Sequence, residues 1–103
     1  MSLKYAAYIA LLTSIATPAM AGPVVRWEKV GSTYIAFVTN PDDRAYVCSG
    51  EVQANYVQYD QPGSSKTSVN FGVGPKIENR EGWRWNTTWA SSTLHFSNSV
   101  SCS

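Results

Sequence analysis

Near the C-terminal end, apolar and polar positions alternate with a period of two. Leu94, Phe96, Val100 and Cys102 interleave with His95, Ser97, Ser99 and Ser101. That spacing predicts a strand over 93–102 with one buried and one wet face, and it leaves Asn98 as the one polar residue on the inner side. The same reading runs back along the chain. Over 66–73, Thr67, Val69, Phe71 and Val73 share a face. A strand over 44–49 runs into one over 51–59, with Tyr46, Cys48, Val52, Ala54 and Tyr56 inward and Gly50 placed where a long strand can bend. Strand 83–90 groups Trp83, Trp85 and Trp89. Strand 33–39 is apolar at nearly every position, which predicts a central strand, and 24–30 completes the set.

Turn signals separate these segments at short intervals: Gly31-Ser32, Asn40-Pro41-Asp42-Asp43, Asp60-Gln61-Pro62-Gly63, Gly74-Pro75, Glu81-Gly82 and Ser91-Ser92. Short strands at such spacing are the pattern of a β-sandwich or barrel, and an antiparallel β-sandwich is the expected fold. The expected core is Phe37, Val52, Ala54, Val69, Phe71, Trp85, Phe96 and Val100. The segment 74–82 (GPKIENREG) reads as the longest irregular connection.

Composition sharpens this picture. Beyond residue 21 the only leucine is Leu94, whereas Val, Thr, Ser, Tyr and Trp abound, so helix faces are not expected. Residues 1–21 read as a cleavable signal peptide. Lys4 gives the positive end, Tyr5 to Ala16 the apolar run, and Ala19-Met20-Ala21 the small-residue cleavage site before Gly22. The run is too short to span a bilayer, so no membrane insertion is expected after cleavage. The mature domain is then 22–103, exported to the periplasm or secreted. In such a compartment Cys48 and Cys102 are expected to form a disulfide.

The layout resembles an immunoglobulin-like or fibronectin-like sandwich at the level of fold. One immunoglobulin hallmark is missing: Asp60, Gln61 and Pro62 stand where a tryptophan would follow the first cysteine by about a dozen residues. The resemblance implies a two-sheet domain and carries over no functional residue.

Charge argues against several partners. The chain has eight Lys and Arg against seven Asp and Glu, and removal of Lys4 leaves a balance of zero. Without a basic stripe, neither nucleic acid nor an anionic membrane surface is an expected partner. Chemistry is equally sparse. His95, the single histidine, falls on the wet face of its strand with no acidic residue close in sequence, so no catalytic triad is expected. Paired cysteines offer no free thiolate, and the chain cannot supply the four Cys or His of a structural zinc site. Asn40, Asp42 and Asp43 are rich in oxygen, yet a Pro-initiated turn explains them without calcium. No cofactor and no enzymatic activity are expected.

Two readings of function stay open. The first is a protein-binding or assembly module, contacting its partner through the 74–82 segment or an open strand edge, with Lys76, Arg80 and Arg84 as the polar contacts. The second is a carbohydrate-binding domain that stacks sugars on exposed tryptophan and tyrosine. Burial of Trp83, Trp85 and Trp89 separates them, because three tryptophans on one strand face also suit a leucine-poor core.

Overall fold

A computed structural model describes residues 22–103; the segment read as a signal peptide lies outside the described residues. The described chain is all-β. Six strands follow in order: β1 (Val24–Val30), β2 (Thr33–Asn40), β3 (Tyr46–Gln58), β4 (Gln61–Val73), β5 (Ile77–Asn86) and β6 (His95–Cys102), with one short 3-10 turn at Ser91–Thr93 before the last. They form two three-stranded antiparallel sheets, ordered β1-β2-β5 and β4-β3-β6. The chain therefore lays down a hairpin in the first sheet and a hairpin in the second. It then returns to each sheet once, placing β5 beside β2 and β6 beside β3.

Both sheets contribute to one core. Tyr34, Ala36 and Val38 of β2 meet Tyr46, Cys48 and Val52 of β3 and Val69, Phe71 and Val73 of β4. As expected, Val52, Ala54, Val69 and Phe71 are buried. Trp85, Phe96 and Val100 are half-buried and pack against the same cluster. Phe37 departs from expectation: its register places it opposite Arg26 and Glu81, on the outward side of the first sheet. Tyr34, Ala36 and Val38 take the inward positions instead. An apolar run gives no parity, so it identified the strand as central without saying which face was which.

One hairpin turn falls where expected and the other is shorter than expected. Between β1 and β2 the turn is Gly31-Ser32, with Gly31 at φ 63°. Between β3 and β4 it is Tyr59-Asp60, with φ 53° and 60°, and Gln58 already pairs with Gln61. Two successive positive φ values give the right-handed twist that a two-residue hairpin favours. Pro62 and Gly63 thereby enter β4, which as an edge strand tolerates proline. Gly63 sits under the ring of Tyr56, its cross-strand partner.

The largest correction concerns 74–82. Only 74–76 turn; from Ile77 the backbone is strand, paired to β2 through register shifts on either side of Phe37 and Val38. Glu78, Arg80 and Glu81 stand on the bulged first half of an edge strand, and Lys76 lies in the turn before it. Bulging breaks the alternation on which strand recognition depends, and edge strands commonly carry charge. At its other end β5 stops at Asn86, before Trp89. Thr87 donates to the Ser32 carbonyl through both its amide and its hydroxyl, and Ser32 donates to the Trp89 carbonyl. These bonds tie the exit of β5 to the first hairpin.

The expected disulfide is present, between directly opposed residues of neighbouring strands in one sheet. Val47 and Ser103 exchange both backbone bonds, so the adjacent Cys48–Cys102 position is a non-hydrogen-bonded pair. Opposed side chains approach most closely at such positions, and the two Cα atoms are 3.9 Å apart. A disulfide, with no helix among the described residues long and apolar enough to cross a membrane, is compatible with an extracellular or otherwise oxidising location.

Candidate functional site

Trp83 and Trp85 face inward and Trp89 packs beside them, and none of the three is fully enclosed. They belong to a continuous run of rings. Trp83 meets Trp27 edge-on, Trp27 stacks on Tyr34 at 4.9 Å, and Tyr34 stacks on Phe96 at 4.4 Å. Phe96 touches Trp85, Trp85 meets Trp89 edge-on, and Trp89 stacks on Tyr56 at 4.1 Å. Tyr34, the most buried ring of the series, receives a hydrogen bond at its hydroxyl from Asn98 Nδ2. Trp27, Tyr34, Phe96, Tyr56 and Trp89 thus each have a ring face covered by another ring. Stacked and edge-on ring contacts of this kind add to packing between the two sheets.

The acidic turn after β2 is also structural. Asn40 is fully buried, and its Nδ2 donates to the carbonyls of Arg44 and Gly74, each at 2.8 Å. Its Oδ1 accepts from the Asp42 amide. Asp42 Oδ2 in turn accepts from the Tyr46 hydroxyl and the Gly22 amide. The Asn40 amide thus bonds local backbone, whereas the Asp42 carboxylate reaches a side chain and a distant amide. No grouping of three or more potential metal ligands occurs among the described residues.

The outer face of the second sheet is small and polar. A shallow depression of about 220 Å³ there is lined by Glu51, Gln53, Lys66, Ser97, Asn98 and Ser99. His95 stands at one end of β6, opposite Asn55, and no hydrogen bond joins it to a carboxylate or serine among the described residues.

The outer face of the first sheet is different. Ile35 and Phe37 occupy its central strand; Ile35 is buried and Phe37 half-buried. Glu28 and Arg84 flank Ile35 in register, and Arg26 and Glu81 flank Phe37. The Arg26 guanidinium lies 4.7 Å from the Phe37 ring centroid, pairs with Glu28 and donates to Asn79 at 3.0 Å. Arg84 grips Glu81 through Nε and Nη2 at 3.0 and 2.7 Å. Those hydrogen bonds, and then the charge behind them, hold the Glu81 carboxyl below its ordinary range and raise the Arg84 guanidinium. Two long cations and their carboxylates thereby flank an apolar pair, with aliphatic stems against it and charged heads in water.

Of the expected contact residues, Arg84 belongs to this face. Arg80 is exposed on β5 but stands in register with inward-facing Val38, roughly 13 Å along the strand from Arg84. Lys76, at φ 53° in the 74–76 turn, donates to the Pro41 carbonyl at 2.9 Å and pairs with Asp43. The three cations therefore line one edge strand and its turn without converging. Arg26, Glu28, Phe37 and Glu81, which do converge with Arg84, had a signal in the sequence. A fully apolar strand needs cover on both faces, and charged residues alternate in the strands beside it. No family model matches this chain, and neither a curated protein nor a solved structure matches it.

Proposed function

We propose that residues 1–21 direct export and are removed, and that 22–103 act as a non-enzymatic protein-binding or assembly module in the periplasm or extracellular space. An immunoglobulin-like sandwich is the fold proposed for it. The strand order supports that reading: β1-β2-β5 matches the A-B-E part of such a domain, and β4-β3-β6 the C′-C-F part. The disulfide departs from the immunoglobulin pattern by joining neighbours within one sheet.

The observation that carries the binding reading is the Arg26–Phe37–Arg84 face on a rigid sheet. Arginine and aromatic residues are enriched where proteins meet, and a planar guanidinium makes several directional bonds at once. A glycan would instead require open tryptophan faces, and Trp27 and Trp89 each have one face stacked on a tyrosine.

The test is capture of a partner by the exported protein from its own envelope fraction. Arg26→Ala combined with Arg84→Ala should weaken capture while the melting temperature stays nearly unchanged; Arg80→Ala, which lies off this face, should leave capture unaltered. Undiminished capture by this double variant would refute the assignment of the surface. Glycan-array binding lost on Trp83→Ala would favour the carbohydrate reading, and turnover abolished by His95→Ala would overturn the non-enzymatic one.

A further inference from the structure

β6 is an edge of the second sheet, and its hydrogen-bonding phase is fixed. Since Val47 and Ser103 exchange their backbone bonds, the residues facing β3 with N–H and C=O are His95, Ser97, Ser99 and Ser101. The backbone groups of Phe96, Asn98, Val100 and Cys102 point outward, away from the sheet. Of these, Phe96, Val100 and Cys102 are half-buried against the core, and Asn98, though exposed, sends its amide inward to the Tyr34 hydroxyl.

The remaining edges carry the usual protection against another strand. β1 has Arg26, Glu28 and Lys29; β4 has Pro62 and Lys66; β5 has Glu78, Arg80, Glu81 and Arg84 together with its register shifts. β6 (HFSNSVSC) has no lysine, arginine, acid, proline or glycine and no register shift against β3. Protein edges of this kind are normally covered.

We propose that β6 pairs antiparallel with β6 of a second copy, about a twofold axis at Asn98, joining two three-stranded sheets into one of six strands. The strand is self-complementary under that rotation. Phe96 faces Val100 of the second copy, Asn98 faces Asn98, and all of them present their outward backbone groups, so each facing pair exchanges both bonds. On the core side an aromatic residue meets a β-branched one, a favourable cross-strand pair. On the outer side Ser97 faces Ser99. No like charges oppose each other, which the charged edges of β1 and β5 do not guarantee for themselves. Closed twofold dimers are the commonest protein assembly, and this one leaves the Arg84 face free. The contact is one strand wide, below about 1,200 Å², so dissociation in the micromolar range is expected.

Sedimentation equilibrium of the exported, oxidised protein over micromolar concentrations tests this. A reversible monomer–dimer equilibrium is expected. Ser97→Lys with Ser99→Lys places lysines against lysines across the axis and should sediment as a monomer with an unchanged circular dichroism spectrum. Mixing it with a Ser97→Glu, Ser99→Glu partner should restore a mixed dimer. If the lysine variant does not fold, Asn98→Pro serves instead, because it removes an outward N–H that β3 does not use. Monomer at every concentration, a dimer that survives the lysine or proline variants, or no mixed dimer on combining opposite charges would overturn the proposal. So would a monomeric protein whose β6 cross-links to a segment of a different protein.

Discussion

At the scale of single residues, Gly50 holds β3 and β6 at their distance. A Cβ there would fall 2.0 Å from the Ser99 carbonyl oxygen, and φ is +154°, where L side chains are strained. Neither backbone can yield without opening the pairing of Gly50 with Val100. Gly50→Ala should therefore cost about 3 kcal/mol in urea unfolding, through overpacking and backbone strain together. Gly72→Ala is the control, because its Cβ would meet nothing closer than 3.9 Å; it should be close to neutral, and equal losses at the two sites would sink the explanation. The Glu81–Arg84 pair makes a second residue-scale claim. Glu81 is depressed by Arg84, so its favourable interaction is present above the ordinary glutamate value and is lost as pH falls through the lower folded one. In an NMR titration, Arg84→Ala should move the Glu81 midpoint upward. The pair is exposed and screened, so neutral-pH stability should barely respond.

At the scale of elements, the sequence was legible where one face was buried and the other wet. β6, the 66–73 part of β4 and the long β3, which runs through Gly50 without a register shift, all followed from period two. So did the shared face of Trp83 and Trp85, although only the structure places that face toward the core. β5 was legible only in its second half. Its first half is exposed at nearly every position, and an exposed, bulged strand has no apolar rhythm to read. Tyr59 carries no turn signal, because a positive φ is uncommon for a bulky side chain. The converging face around Phe37 needed the register of three strands at once, which no single segment contains. Strand β6 offers the element-scale test. Phe96 stacks on Tyr34 and reaches Trp85, joining two sheets from a half-buried position. Phe96→Ala should cost about 3 kcal/mol, the low end for a core aromatic. A loss below about 1 kcal/mol would mean that the ring series contributes little to holding the sheets together.

At the scale of the whole molecule, stability depends on how a small core is closed. A domain of this length buries only a modest share of its surface, and its interior is filled by valine, alanine and rings with a single leucine. The disulfide spans a sequence separation of 54, from early in the long third strand to the end of the last. In the chain-entropy account, closing a loop of that size removes about 4 kcal/mol of freedom from the unfolded chain. It also fixes the end of β6, an edge strand with only one neighbouring strand in its sheet. Breaking the bond should thus act in two ways: on the unfolded ensemble, and on the free end of β6, where Val47 and Ser103 close the ladder. Cys48→Ser together with Cys102→Ser should lower stability by about 4 kcal/mol, a large fraction of what a small domain possesses. Hydrogen exchange separates the two effects. If fixing β6 matters, amides at the C-terminal end of β6 and their partners at the start of β3 lose protection first, while those of β2 follow global unfolding. A uniform loss across both sheets would assign the stabilisation to the unfolded chain alone.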